Sequence, residues 1–70
     1  MNRFGEKLFA LRTKRGYTIR ELGDRLGVYH TYISQMEKGK KIPNAAMLLK
    51  LADLFCVSTD VLMRDELDLP

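Results

Sequence analysis

TIRELGDRLGVYHTYISQMEKG, residues 18–39, is the stretch that decides the fold. It opens with Thr18-x-x-Glu21, a capping box in which the hydroxyl serves an early backbone N–H and the carboxylate reaches back. Ile19, Leu22 and Leu26 then recur at helical spacing, and Gly27 ends the run. Val28 leads into a second run in which Ile33 and Met36 face one way. The spacing predicts two short amphipathic helices, Ile19 to Leu26 and about His30 to Glu37, joined by a tight turn, with Gly39 stopping the second. Gly23 lies inside the first helix, where it costs about 1 kcal/mol of helix propensity against Ala. A residue that costly marks a close backbone approach, here of the second helix.

Two helices crossing steeply through a turn of this length make a helix-turn-helix, spanning about residues 18–38. The second helix of such a unit can lie in the major groove of DNA.

The flanking sequence supplies three more helices and no strand. Phe4, Leu8 and Leu11 form an apolar stripe on a helix running from about Asn2 or Arg3 to Lys14. Gly16 follows as its C′ residue, and Lys14 and Arg15 suit the negative end of its dipole. Lys40-Lys41-Ile42-Pro43 reads as a loop. Asn44 is a good N-cap for a helix from Ala45 to Phe55 with Leu48, Leu51, Ala52 and Phe55 on its core face. Ser58 caps a short helix, about Thr59 to Met63, and the acidic tail from Asp65 to Pro70 is expected to fray. Strict apolar–polar alternation is absent. The reading is all-α: a compact five-helix bundle, residues 1–70, as a single domain.

Composition narrows the function classes. The chain has 70 residues and a net charge of +3. Residues 1–41 carry ten Lys/Arg against four Asp/Glu, whereas residues 42–70 carry two against five. A basic half is the electrostatic footprint expected of a polyanion-binding protein. Cys56 is the one cysteine, so no intrachain disulfide forms; it is expected to be an inert, half-buried thiol. His30 is the one histidine, and with no clustered ligand it builds no metal site. No apolar run approaches the roughly 18 residues of a membrane span, and the first residues lack a signal-peptide h-region. No glycine-rich phosphate loop or carboxylate pair suggests catalysis, and the chain is too short to frame much of a pocket. No enzyme activity, cofactor or small-molecule substrate is expected, and a cytoplasmic location is.

From about Phe4 to Met63 the sequence resembles the Xre/Cro–phage-repressor family, the lambda-repressor-like DNA-binding domains. The carriers are Leu8-x-x-Leu11-Arg12, Gly16-Tyr17-Thr18, Glu21-Leu22-Gly23, Leu26-Gly27-Val28, Tyr32-Ile33-Ser34 with Met36-Glu37-Lys38-Gly39, and Pro43-Asn44 leading into Leu48 to Val57. The resemblance implies that Arg12 and Glu37 pair, tying the first helix to the end of the third. A bidentate pair of this kind would fix the tilt of the reading helix. Two positions depart from the family pattern. Ile19 stands where Gln usually begins the second helix, and can neither bond a phosphate nor prop a base-reading side chain. Tyr29 stands where Ser or Thr usually caps the third helix, and cannot cap it locally.

On the third helix His30, Thr31 and Gln35 point outward, and by resemblance they fall on the positions that read bases. Their chemistry agrees. Gln35 can bond adenine N6 and N7 together, Thr31 offers a hydroxyl and a methyl for thymine, and His30 can donate to guanine. Arg20, Tyr29, Tyr32, Lys38, Lys40, Lys41 and the helix start at Asn44 are expected to touch the DNA backbone, which positions the protein without reading sequence. The resemblance suggests a two-fold homodimer on a palindromic operator. Phe55, Val57, Val61, Leu62, Leu67 and Leu69 are a candidate surface, although Phe55, Val57 and Leu62 can equally complete the core. The expected function is a sequence-specific double-stranded DNA-binding transcriptional regulator, a repressor. The alternative is a protein-interaction or antitoxin-like module, motivated by the apolar Ile19 and the aromatic Tyr29.

Overall fold

Five helices follow one another along the chain: α1 (Phe4–Lys14), α2 (Ile19–Leu26), α3 (His30–Glu37), α4 (Ala45–Phe55) and α5 (Thr59–Met63). They are seen in a computed structural model that describes residues 1–70. Their boundaries follow local chemistry. The capping box forms: the Glu21 N–H donates to Thr18 Oγ1 at 3.0 Å, and the Thr18 N–H donates to Glu21 Oε1 at 2.9 Å. The bond from the Thr18 backbone holds the Glu21 carboxyl below its usual range. Asn44 Oδ1 accepts from the Met47 N–H at 2.8 Å, and Ser58 Oγ from the Val61 N–H at 3.1 Å. At the turn, Gly27 adopts φ +74°, a left-handed conformation that a side chain disfavours.

The core is built on the predicted stripes. Phe4, Leu8 and Leu11 of α1 meet Leu22 and Leu26 of α2, Ile33 and Met36 of α3, and Leu48, Leu51 and Phe55 of α4. Met47, unassigned by periodicity, joins them. Two glycines let helices approach where no Cβ fits. A Cβ on Gly23 would lie 2.7 Å from the Val28 carbonyl oxygen and 3.2 Å from the His30 nitrogen, so the backbone entering α3 rests on α2. A Cβ on Gly5 would lie 2.5 Å from the Glu37 carbonyl oxygen, which seats α1 against the end of α3.

The tail and Cys56 depart from expectation. The tail does not fray at its start. Asp65 reaches back to α1, where its carboxylate accepts from the Asn2 and Arg3 N–H groups, each at 3.0 Å. Those bonds hold the Asp65 carboxyl below its ordinary value. α1 starts at Phe4, with Arg3 as its N-cap residue, one or two residues later than expected. Arg3 adds a bond to the Asp65 carbonyl at 2.7 Å and an ion pair with Asp68 at 2.9 Å.

Lys7, to which the sequence assigned no role, is 1% exposed. Its Nζ donates to the carbonyls of Val61 at 2.6 Å and Arg64 at 2.7 Å, satisfying the end of α5. Cys56 is exposed rather than half-buried, and it ends α4 at φ +55°, the one non-glycine residue with positive φ.

Candidate nucleic-acid interface

The inner face of α3 sets what its outer face can do. Ile33 and Met36 are fully buried, and each such burial is worth about 1.5–3 kcal/mol. With those two facing inward, His30 and Thr31 are exposed, and Ser34 and Gln35 are half-buried along the outer edge. The angle of this face is fixed from α1. Arg12 Nε donates to Glu37 Oε2 at 2.7 Å and Nη2 to Glu37 Oε1 at 3.2 Å, a bidentate pair with about one tenth of each side chain exposed. Arg12 Nη1 also donates to the Tyr17 carbonyl at 2.8 Å, so one guanidinium joins α1, the entry to α2 and the end of α3.

The remaining sequence-predicted positions lie on α2, on α3 and its flanks, and at the start of α4. Lys38, Lys40 and Lys41 follow α3 directly, and none of them, nor Arg20 on α2, has an ion-pair partner. Three acidic groups pair elsewhere: Asp60 and Glu66 with Arg64, and Asp68 with Arg3. Tyr29 is 85% exposed and gives α3 no side-chain cap. The His30 and Thr31 N–H groups consequently have no acceptor in the protein. Tyr32 is half-buried and packs on the core, which limits it to the edge of the face. Asn44 is exposed at the start of α4, where the Ala45 and Ala46 N–H groups are also without protein acceptors.

Ile19 lies half-buried against the core rather than adding a free apolar surface. With Phe9, Ser34 and Lys38 it lines an open cleft of about 410 Å³ beside the Arg12–Glu37 pair. Ser34 is the residue on this edge that the sequence reading passed over; its spacing of four from His30 and from Lys38 was the available signal. Arg25, unassigned from sequence, stacks over the Tyr17 ring at 4.6 Å from its centroid.

Among the candidate dimer residues, Phe55 and Leu62 are core residues. Val57, Val61 and Leu69 are half-buried, and Leu67 is exposed. No helix is long and apolar enough to cross a membrane.

Comparison with known proteins agrees with this geometry. The family described as helix-turn-helix matches residues 8–62. The chain belongs to the helix-turn-helix family. Its sequence is 38% identical over 61 residues to the SPbeta prophage-derived HTH-type transcriptional regulator YonR of Bacillus subtilis (strain 168), covering 87% of this chain and 56% of YonR. The chain thus spans about half the length of the curated relatives it matches first.

Two solved helix-turn-helix structures superpose closely. The P22 c2 repressor in complex with synthetic operator 9T aligns with a TM-score of 0.83 and 33% identity, covering 90% of this chain and 96% of that one. The N-terminal DNA binding domain of SinR from Bacillus subtilis aligns with a TM-score of 0.84 and 25% identity, covering 97% and 100%. The all-α, lambda-repressor-like fold and the Xre/Cro–phage-repressor kinship expected from sequence are those found.

Proposed function

We propose that this helix-turn-helix chain is a sequence-specific double-stranded DNA-binding transcriptional regulator, a repressor that acts by occupying its site. It lays α3 in the major groove. His30, Thr31 and Gln35 meet base edges, and each well-made pair discriminates by about 1–3 kcal/mol. Arg20, Tyr29, Tyr32, Lys38, Lys40, Lys41 and the start of α4 at Asn44 hold the flanking phosphates. Arg12 and Glu37 do not read DNA; they set the angle of the helix that does. One helix reads few base pairs, so the protein binds a palindromic operator as a homodimer, with half-sites one helical turn apart. It performs no catalysis.

The observation that carries this reading is the outer edge of α3. Hydrogen-bonding side chains stand on a helix anchored from beneath, bordered by cations that no carboxylate neutralises. The similarity to a repressor seen with its operator supports the same docking.

Selection of bound sequences from random duplex DNA tests it. A defined, two-fold symmetric consensus is expected, and recovery of no consensus would refute sequence-specific binding. Gln35→Ala should then relax preference at one position of each half-site. Lys40→Ala should weaken all duplexes alike and reduce the salt slope by about 1. The exposed Tyr29 favours a second reading, a protein-interaction or antitoxin-like module. Equal affinity for selected and scrambled duplexes would turn the assignment toward it.

A further inference from the structure

The end of α3 carries more than a stop signal. The Lys40 N–H donates to the Gln35 carbonyl at 2.8 Å, the Lys41 N–H donates to the same oxygen at 3.3 Å, and the Gly39 N–H donates to the Met36 carbonyl at 3.2 Å. This is a Schellman closure, and it requires a left-handed residue at position 39. Gly39 supplies it at φ +78°. The loop is held again at Pro43, which is buried. The lysine pair is therefore suspended between two fixed points. One of them is the backbone of Gln35, whose side chain the reading above places on a base.

We infer that Gly39 is a positioning residue for phosphate binding. Its left-handed turn locks Lys40 and Lys41 to the Gln35 carbonyl, so that base reading and phosphate holding ride on one rigid corner. This rests on the DNA-binding assignment above. Gly39 differs in kind from Gly5 and Gly23, because a Cβ built on it meets nothing within 4 Å. Position 39 needs a backbone conformation, not an empty space. A D-residue there would keep the corner, and an L-residue would strain it.

The molecule contains its own control. Gly16 ends α1 with the same closure, the Tyr17 N–H donating to the Arg12 carbonyl at 3.1 Å and the Gly16 N–H to the Thr13 carbonyl at 3.0 Å. Its φ is +74°, and it too has open space around a Cβ. No lysine pair follows it.

Chemical synthesis gives the wild type, Gly39→Ala, Gly39→D-Ala and Gly16→Ala as full chains. Binding to a selected and an unrelated duplex is measured from about 50 to about 200 mM salt, where phosphate contacts register as the slope of log affinity against log salt. Gly39→Ala should lower the slope by about 1–2 on both duplexes and keep the preference between them. Gly39→D-Ala and Gly16→Ala should keep the wild-type slope, the latter despite a comparable loss of thermal stability. An unchanged slope in Gly39→Ala would overturn the inference, as would an equal loss in Gly39→D-Ala or in Gly16→Ala. A wild type that binds no duplex would instead refute the DNA-binding assignment, and this inference would fall with it.

Discussion

Two groups of cations in this molecule treat charge in opposite ways. Where α1 meets α5 and the tail, every cation has a partner: Lys7 holds two carbonyls, Arg3 holds the Asp65 backbone and Asp68, and Arg64 pairs with Asp60 and Glu66. Around α3, the cations Arg20, Lys38, Lys40 and Lys41 have none. Residue for residue the members of the two sets carry the same formal charge, and their use is opposite. One set holds the chain together; the other is left for something outside the protein. A net charge read from composition averages over this division.

The sharpest way to break the comparison is to remove Lys7. Lys7→Met keeps the aliphatic stem but leaves the Val61 and Arg64 carbonyls without their donor. An expected loss of about 2–4 kcal/mol in urea unfolding follows, since each unsatisfied buried group costs roughly 1–3 kcal/mol. A near-neutral result would mean that the buried ammonium is not structural.

The next effect depends on pH. Asp65 and Glu21 have carboxyls held below their usual values by backbone N–H donors, so the folded state favours the charged form. Their contribution is present above the unfolded pKa values and is lost as pH falls through the folded ones. Acid titration of the unfolding free energy should therefore show a decline that begins near the ordinary carboxylate range and continues below it. Asp65→Asn should flatten part of that decline and leave the Glu21 part in place.

Cys56→Gly should act in the other direction. It relieves a left-handed non-glycine residue, worth about 1–2 kcal/mol, against an entropic cost of roughly 0.5–1 kcal/mol. A net gain of up to about 1.5 kcal/mol in thermal unfolding, with DNA affinity unchanged, would sharpen the separation between the two groups. The smallest expected change is in the stability of Lys41→Ala, within about 0.5 kcal/mol of wild type by the same unfolding measurement, because this surface cation has no internal partner. A larger loss would show that the free lysines also hold the fold.

These contrasts explain what the sequence could and could not reveal. Helix boundaries were legible because caps are local: Thr18, Asn44 and Ser58 each bond a backbone N–H three residues on. The inner face of α3 was legible because Ile33 and Met36 obey a helical period. Lys7 was not, since a lysine inside an amphipathic helix looks the same whether its ammonium meets water or two carbonyls from the other end of the chain. Asp65 was not, since a cap supplied from 62 residues away leaves no spacing to read. Nor was the need for Gly5 legible, since the Glu37 carbonyl that demands it belongs to α3. For the candidate interface, sequence supplied the outward residues and the lysine loop. It did not supply the Gln35 carbonyl that joins them, because backbone acceptors carry no signature of their own.

The bond between Asp65 and the start of α1 has a consequence for biosynthesis. A ribosome makes Asn2 and Arg3 well before Asp65, so α1 emerges with its leading amides bare and with Lys7 lacking both of its acceptors. The helix-turn-helix can be complete in the nascent chain while its first helix is still fraying. The domain closes only when the tail clears the exit tunnel and clasps the N-terminus. Emergence of Asp65, rather than synthesis of the reading helix, is then the step that completes this domain.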